Sequence, residues 1–229
     1  MRRLHRWVRG DWQLLPWLLP RVPAAGGGRR RSRLSALDRW KILDNLRRSV
    51  LAASLVVLTL AGWTVLHGPA WWWTLAAAGL FAVPVVLGAV TAAGSRAGGQ
   101  RGRIRLHAPG DVPRAVRRWL IVMVLLPFRA WVELDAIGRT LVRLFVTRRN
   151  LLEWTSAAQT ASLVSRDARP GRVVRHMAPA LLLAAGAATA VAVTRATALP
   201  AAAPLLLAWL AAPVVVRSIG RRQADDRPG

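Results

Sequence analysis

Residues 49–66 read SVLAASLVVLTLAGWTVL, an apolar run without a single charged side chain. A helix of this length can cross about 30 Å of hydrocarbon. Three similar runs occupy residues 70–93, 177–194 and 198–216, and none of the four contains Asp, Glu, Lys, Arg or His. A soluble domain would instead mix apolar and polar residues at a period of about 2 or 3.6. The pattern therefore predicts an all-α integral membrane protein with about four transmembrane helices.

The distribution of charge predicts how these helices are oriented. The chain has 34 Lys and Arg residues and a formal net charge of +24. With four spans, both termini and residues 94–176 lie on one side of the membrane, and that side holds every basic residue except Arg195. Because cytoplasmic loops are enriched in Lys and Arg, this side is predicted to be cytoplasmic. The expected partners of the charge are the lipid bilayer and its anionic head groups. No nucleic acid is expected, since no folded soluble domain with a basic face is evident.

An amphipathic segment lies between the two pairs of apolar runs. Residues 119–128 are apolar but too short to span a membrane. In the helical pattern that follows, one face is formed by Trp131, Leu134, Gly138, Leu141 and Phe145. Arg139 and Arg143 lie on another face, and Asp135 precedes Arg139 by one helical turn. Residues 119–160 are therefore predicted to form a re-entrant or interfacial helical hairpin along the membrane surface.

These patterns divide the chain into five segments. They are a cytoplasmic basic segment at 1–48, a transmembrane helical pair at 49–93, a cytoplasmic loop with interfacial helices at 94–176, a second transmembrane pair at 177–216 and a cytoplasmic tail at 217–229. The Gly- and Arg-rich residues 94–118 are expected to form a flexible loop. The polar tail is expected to be disordered.

Few residues in this chain are typical of catalysis. No hydrolase elbow, Walker loop, dinucleotide fingerprint or zinc pattern occurs, and the chain contains no Cys. The four histidines, at positions 5, 67, 107 and 176, are scattered, and each is expected to be solvated or interfacial and not a ligand. Ion-coupled transporters usually place ionisable groups at membrane depth, so the uncharged runs argue against a proton-coupled carrier.

The N-terminal segment carries the main chemical signal. Residues 3–13 read RLHRWVRGDWQ. Arg and Trp together suit a sugar nucleotide, because Arg binds phosphate oxygens and an indole face stacks on a sugar ring. The same composition is also common in basic amphipathic segments that precede a membrane span.

The first five residues of that segment, Arg3 to Trp7, are similar to the (Q/R)xxRW motif that closes the catalytic domain of processive family-2-type glycosyltransferases. Further blocks follow in order, and they are VRGDWQLLP at 8–16, LDRWKILDNLRRS at 37–49, DAIGRTL at 135–141 and RRNLLEWTSAAQ at 148–159. Together these blocks resemble the cyclic β-1,2-glucan synthases, which are large enzymes of the bacterial inner membrane. The resemblance extends over residues 1–160 by motif and over the remainder by hydropathy.

The resemblance implies an activity and roles for three residues. Members of the family transfer glucose from UDP-glucose to a growing β-1,2-glucan and cyclise the product, with the transferase domain on the cytoplasmic face. By matching positions, Trp7 is the candidate on the acceptor side and Arg6 the candidate on the phosphate side, while Arg3 occupies the Gln/Arg position. Mg²⁺ and UDP-glucose are implied for the complete enzyme. No cofactor, catalytic residue or metal ligand is assigned to this chain.

The chain also departs from the family. Such transferases hold UDP and Mg²⁺ with aspartates upstream of the motif, and Met1 stands only two residues before Arg3. The phosphorylase-like domain that controls chain length is missing as well. We therefore expect an internal piece of the enzyme: a gene fragment, a mis-called start or one part of a split system. It would be inactive without a separate or upstream catalytic transferase domain. The alternative function is a non-catalytic membrane scaffold or a small transporter subunit.

The acidic residues within these blocks are expected to be structural. They are Asp38, Asp44, Glu133, Asp135 and Glu153. Asp38 is predicted to act as an N-cap-like residue, and Asp135 is predicted to pair with Arg139 one turn later.

Overall fold

The computed structural model describes residues 2–23, 28–97, 111–149 and 170–225. The protein is mostly helical. The helices of its first half are α1 (Arg2–Gln13), α2 (Ala36–Thr64) and α3 (Ala70–Ala97). Those of its second half are α4 (Asp111–Val124), α5 (Leu126–Leu141), α6 (Pro170–Thr194), α7 (Leu199–Leu210) and α8 (Ala212–Asp225). A π-helical segment, Val142–Thr147, follows α5, and two 3₁₀ turns lie at Leu15–Leu18 and Ala196–Ala198.

Two helical segments, α2 and residues Val174–Thr194 of α6, are long and apolar enough to cross a membrane. The stretch Ala196–Leu210 and residues Ala212–Ile219 pass the same test only together, as a pair bent by 42°, so the described residues hold two candidate spans, or three with that pair. Within α3, residues Ala70–Val83 count by the same test only as a shorter apolar helix. The helical fold is therefore confirmed, whereas the expected number of four transmembrane helices is not.

The helix α2 begins well before the first apolar run, because the side chain of Ser35 caps its N-terminus and starts it at Ala36. Ser35 Oγ accepts the backbone N–H of Asp38 at 3.2 Å, and the Ser35 hydroxyl donates to Asp38 Oδ2 at 2.7 Å. Ser35 is thus the N-cap and Asp38 the third helical residue, which corrects the prediction that Asp38 itself caps the helix. Asp44 then accepts a hydrogen bond from Arg47 at 2.8 Å on the exposed side of the helix.

Four described segments do not have the structure that the sequence predicted for them. Residues 111–118 and 94–97 are helical, in α4 and α3, although both were expected within a flexible loop. Pro113 is compatible with α4 because the first turn of a helix has no intrahelical partners for its N–H groups. The tail is helical as far as Asp225. A short antiparallel ribbon, absent from the all-α expectation, pairs Arg21–Pro23 with Arg29–Arg31.

The bend between α7 and α8 coincides with a proline. The break is at Ala211, and Pro213 is the second residue of α8. A proline ring clashes with the carbonyl four residues earlier and offers no N–H to it. A straight helix through residues 198–216 is therefore disfavoured, and the apolar run folds as two helices.

The chain separates into two compact units. The first unit comprises Met1–Ser54 and Phe128–Arg172, and the second comprises Leu55–Pro127 and Val173–Gly229. In the second unit, α3 packs against α4 and α7.

Hydrogen bonds donated by tryptophan N–H groups connect the helices of the second unit. Trp63 donates to Thr74 Oγ1 at 2.9 Å, and Trp209 donates to the carbonyl of Met123 at 3.1 Å. The rings of Trp63 and Trp209 lie 5.8 Å apart, and both side chains are fully buried. Trp119 donates to the carbonyl of Ala78 at 2.9 Å. An indole N–H that finds a hydrogen-bond partner avoids the cost of losing its bond to water, so these three hydrogen bonds favour the observed packing of the helices.

Gly62 marks the closest approach of α2 to α3. A Cβ atom added at Gly62 would overlap Cβ and Cγ of Trp73, which are the atoms nearest the backbone of α3 and cannot swing away. We expect Gly62→Ala to destabilise the protein by roughly 1–3 kcal/mol, as overpacking of a filled core does. The measurement is thermal unfolding of the protein in detergent micelles.

The matched control is Gly79→Ala in α3, where an added Cβ meets nothing within 4 Å. Its effect should be neutral or stabilising by up to about 1 kcal/mol, because alanine is the better helix former. Equal unfolding temperatures for the two variants would contradict the close packing at Gly62.

Candidate functional site

The helix α1 has one apolar face, and that face holds it in the first unit. Leu4, Val8 and Trp12 recur every four residues, which places them on one side of a helix. Val8 is buried against Ala136 and Ile137 of α5. Leu4, Trp12, Val50 and Leu141 pack around this cluster. The apolar face of α1 is therefore fixed on the same element as the DAIGRTL block.

Three side-chain hydrogen bonds fix the orientation of the packed helices. His5 Nε2 donates to Asp135 Oδ2 at 3.1 Å, and Arg139 Nε donates to Asp135 Oδ1 at 2.9 Å. Trp12 Nε1 donates to Ser49 Oγ at 2.8 Å. The predicted pair of Asp135 and Arg139 is confirmed. The contact of His5, which is partly exposed and bridges α1 to α5 across 130 residues of sequence, was not predicted from the sequence.

The residues matched to the (Q/R)xxRW motif lie on the other side of α1. Arg3 and Trp7 are one turn apart and both exposed, with Trp7 at 60% exposure. The Arg3 guanidinium carbon lies 4.6 Å from the centroid of the Trp7 ring, which is the geometry of a cation–π contact. Arg6 is half-buried. At 100° per residue the three side chains fall within about a third of the helix circumference. The structure thus brings the three predicted residues together on one helix face.

The face of α5 that packs inside the first unit is not the face that carries its large apolar residues. Trp131 and Leu134 of α5, and Phe145 of the π-helical segment that follows it, are exposed. Smaller or polar residues are buried instead, and they are Ala130, Glu133, Ala136, Ile137 and Thr140. Small side chains at these positions let Val8 of α1 come close, which a stripe of Trp and Phe would prevent. Residues 150–160 of the predicted hairpin lie outside the described part of the chain.

Glu133 is the residue whose environment the sequence interpretation missed. Its side chain is 1% exposed. Arg129 Nε donates to Glu133 Oε1 at 2.8 Å, while Oε2 is buried without a hydrogen-bond partner among the described residues. Burial raises the pKa of this carboxyl group, and Arg129 opposes that shift. The spacing of Arg129 and Glu133 signals the ion pair, but nothing in the local sequence signals that the carboxylate is buried.

The other acidic groups do not converge on one point. Burial raises the pKa of Asp11 in α1. Asp38 and Asp44 belong to the cap and the exposed side of α2. Glu153 lies outside the described residues. Within the ranges that the structure describes, no group of three His, Asp or Glu side chains is placed to hold a metal ion.

These features define a helical protein with candidate membrane spans, in which an amphipathic helix presents paired Arg and Trp side chains. No protein-family model matches the chain. The chain is similar to the cyclic beta-(1,2)-glucan synthase NdvB of Rhizobium meliloti (strain 1021), with 36% identity over 220 residues. The alignment covers 94% of this chain and 7% of that protein. The resemblance to the cyclic β-1,2-glucan synthases is thereby confirmed, and the chain is a relative of one short segment of such an enzyme.

The buried carboxyl group of Glu133 makes stability depend on pH. Its pKa is raised in the folded protein above the ordinary value of 4.5, so the folded chain binds this proton more tightly than the unfolded chain. The contribution of Glu133 to stability is therefore full below pH 4.5 and decreases as pH rises through the raised pKa. We expect Glu133→Gln, which keeps an acceptor for Arg129, to remove this decrease. Unfolding temperatures of both proteins across this pH range provide the measurement, and parallel profiles would contradict the assignment.

Proposed function

We propose that this chain forms the membrane-embedded portion of a glucosyltransferase that makes cyclic β-1,2-glucan from UDP-glucose. The observation that carries the proposal is the similarity to NdvB over nearly the whole chain, combined with an exposed Arg3–Trp7 face on a helix that packs firmly against α5. In this role the chain anchors the catalytic domain and shapes the path of the acceptor and the growing glucan.

Each residue of the exposed α1 face has a physical role in this proposal. The Arg3 guanidinium stacks on the Trp7 ring and restrains it, so less conformational freedom is lost when a sugar binds. Trp7 offers its indole surface to the acceptor sugar. Arg6, one residue away, contributes positive charge for the phosphates of the nucleotide. His5 and Asp135 keep α1 in the rotation that presents this face.

The remaining chemistry is proposed to come from a separate or upstream catalytic transferase domain. That domain binds UDP-glucose and Mg²⁺ in the complete enzyme. The matched segment is a small part of NdvB, and this chain alone is expected to make no glucan. Because the isolated chain is expected to have no activity that a substitution could reduce, the motif must be tested within a full-length synthase.

The proposed location is the bacterial inner membrane, with four spans and both termini in the cytoplasm. Two features support it. All basic residues lie outside the four apolar runs, and every one except Arg195 lies on one side of such an arrangement. The exposed apolar side chains of Trp131 and Leu134 in α5, and of Phe145 just after it, suit a segment that lies in the lipid interface.

The natural absence of cysteine permits a direct test of this topology. Single cysteines are introduced by Ala196→Cys, in the exposed turn before α7, and by Arg149→Cys, at the exposed end of the interfacial segment. We expect a membrane-impermeant maleimide to label position 196 in intact spheroplasts and position 149 only after lysis. Labelling of position 149 in intact spheroplasts would overturn the proposed orientation.

The acceptor role is tested in a full-length cyclic β-1,2-glucan synthase at the positions that match Trp7 and Arg6. Alanine substitution of either residue is expected to reduce polymerisation at least about tenfold, since one stacking or charge-assisted contact is worth about 1.5 kcal/mol or more. Membrane insertion should be unchanged, because both residues lie outside the apolar runs and neither belongs to the apolar cluster that packs α1 against α5. The readout is incorporation of labelled glucose into cyclic glucan.

The matched control is the position of Trp40, which is exposed to nearly the same extent, 62%, but lies in α2 away from the motif. Its alanine variant should retain polymerisation. Membranes that contain only the present chain serve as the negative control. Full activity of the Trp7 variant would remove the acceptor assignment, and glucan made by the chain alone would refute its inactivity.

A further inference from the structure

A cleft of about 430 Å³ lies in the second unit, where the α2–α3 turn meets the α6–α7 turn. Six of the residues that line it are Pro69, Trp71, Arg195, Thr197, Pro200 and Ala201. The hydroxyl of Thr74 donates to the carbonyl of Ala201 at 2.9 Å and joins the two walls. The cleft is therefore built by two turns that are distant in sequence.

Arg195 is the charged group in this cleft, and its orientation is fixed. Its guanidinium donates to the carbonyl oxygens of Leu66 at 3.2 Å and Gly68 at 2.8 Å. The side chain remains partly exposed. Across the described residues, no carboxylate lies within ion-pair distance of it. Because a guanidinium has five N–H donors, the two carbonyls leave donors for an anion.

The surroundings of Arg195 fit an amphiphile better than a small soluble anion. Trp71 stacks on Trp72 at 4.6 Å between ring centroids, and both indoles are half-exposed. Half-exposed indoles are typical of the boundary between lipid and water. Further along α3, Leu75 and Leu80 are exposed apolar side chains. The hydroxyl of Thr197, also exposed, supplies a second polar group to the cleft.

We propose that this cleft binds the phosphate group of a phospholipid at the membrane surface where Arg195 lies. The planar guanidinium matches two phosphate oxygens, and no carboxylate on the described chain competes with the phosphate. The first turns of α3 and α7 add partial positive charge. The acyl chains then lie against the exposed apolar side of α3. The site is distinct from the Arg3–Trp7 face and does not depend on glucan synthesis.

The test counts the lipids that stay bound to the purified chain in native mass spectrometry. The detergent-solubilised protein is incubated with phosphatidylglycerol, with a neutral diacylglycerol or with glycerol 1-phosphate. Wild type is expected to retain one phosphatidylglycerol more tightly than the neutral lipid. Arg195→Gln should weaken that binding about tenfold or more, as the loss of a charge-assisted contact does. Thr197→Val should weaken it to a lesser extent.

Arg117→Gln is the matched control, because Arg117 is exposed on α4 and lies outside the cleft. It should bind the lipid as wild type does.

Arg195→Gln also removes two hydrogen bonds to turn carbonyls, so folding is checked by size exclusion and circular dichroism. If Arg195→Gln does not fold, the proposal is tested by comparing lipid binding of Thr197→Val with that of Arg117→Gln. The proposal would be overturned if Arg117→Gln weakened phosphatidylglycerol binding as much as Arg195→Gln does. It would also be overturned if wild type retained the neutral lipid as tightly as phosphatidylglycerol. Displacement of the lipid by glycerol 1-phosphate at similar concentration would assign the site to soluble phosphate esters.

Discussion

A polar group buried among apolar side chains has no water to bond to, and hydrogen bonds between helices satisfy several such groups in each compact unit. In the second unit, three indole N–H groups bond to a hydroxyl or to backbone carbonyls of neighbouring elements. In the first unit, Trp12 bonds to Ser49 and His5 bonds to Asp135. Each such bond can form only in one relative rotation of its helices. Apolar packing holds the elements together, and these few bonds select their orientation.

The orientation of α1 has a direct consequence for function. Since Val8 and Leu4 face α5, the side chains of Arg3 and Trp7 must face away from it. The face available for a ligand is therefore the complement of the face that stabilises the unit. A single amphipathic helix separates the two tasks, so changes in the binding face need not disturb the packing. This separation makes the proposed acceptor role testable without loss of the fold.

The charged side chain of Arg195 has a structural role at the ends of the apolar segments. Its guanidinium satisfies carbonyls just after the end of α2, where a helix leaves backbone acceptors without intrahelical partners. It thereby connects the α2–α3 turn with the α6–α7 turn. The turn itself depends on Gly68, whose φ of 101° is unfavourable for residues with a side chain. The same two bonds hold the guanidinium at the mouth of the cleft.

The sequence by itself determined the helical class, the positions of the apolar runs and the location of the Arg–Trp motif. These properties follow from local composition and helical period, which are readable residue by residue. It did not determine that Glu133 is buried or that His5 meets Asp135. The reason is that both features depend on which face of α5 packs inside the first unit, and tertiary packing sets that face. Contacts between residues more than a hundred positions apart depend on that choice, so only the tertiary structure fixed them.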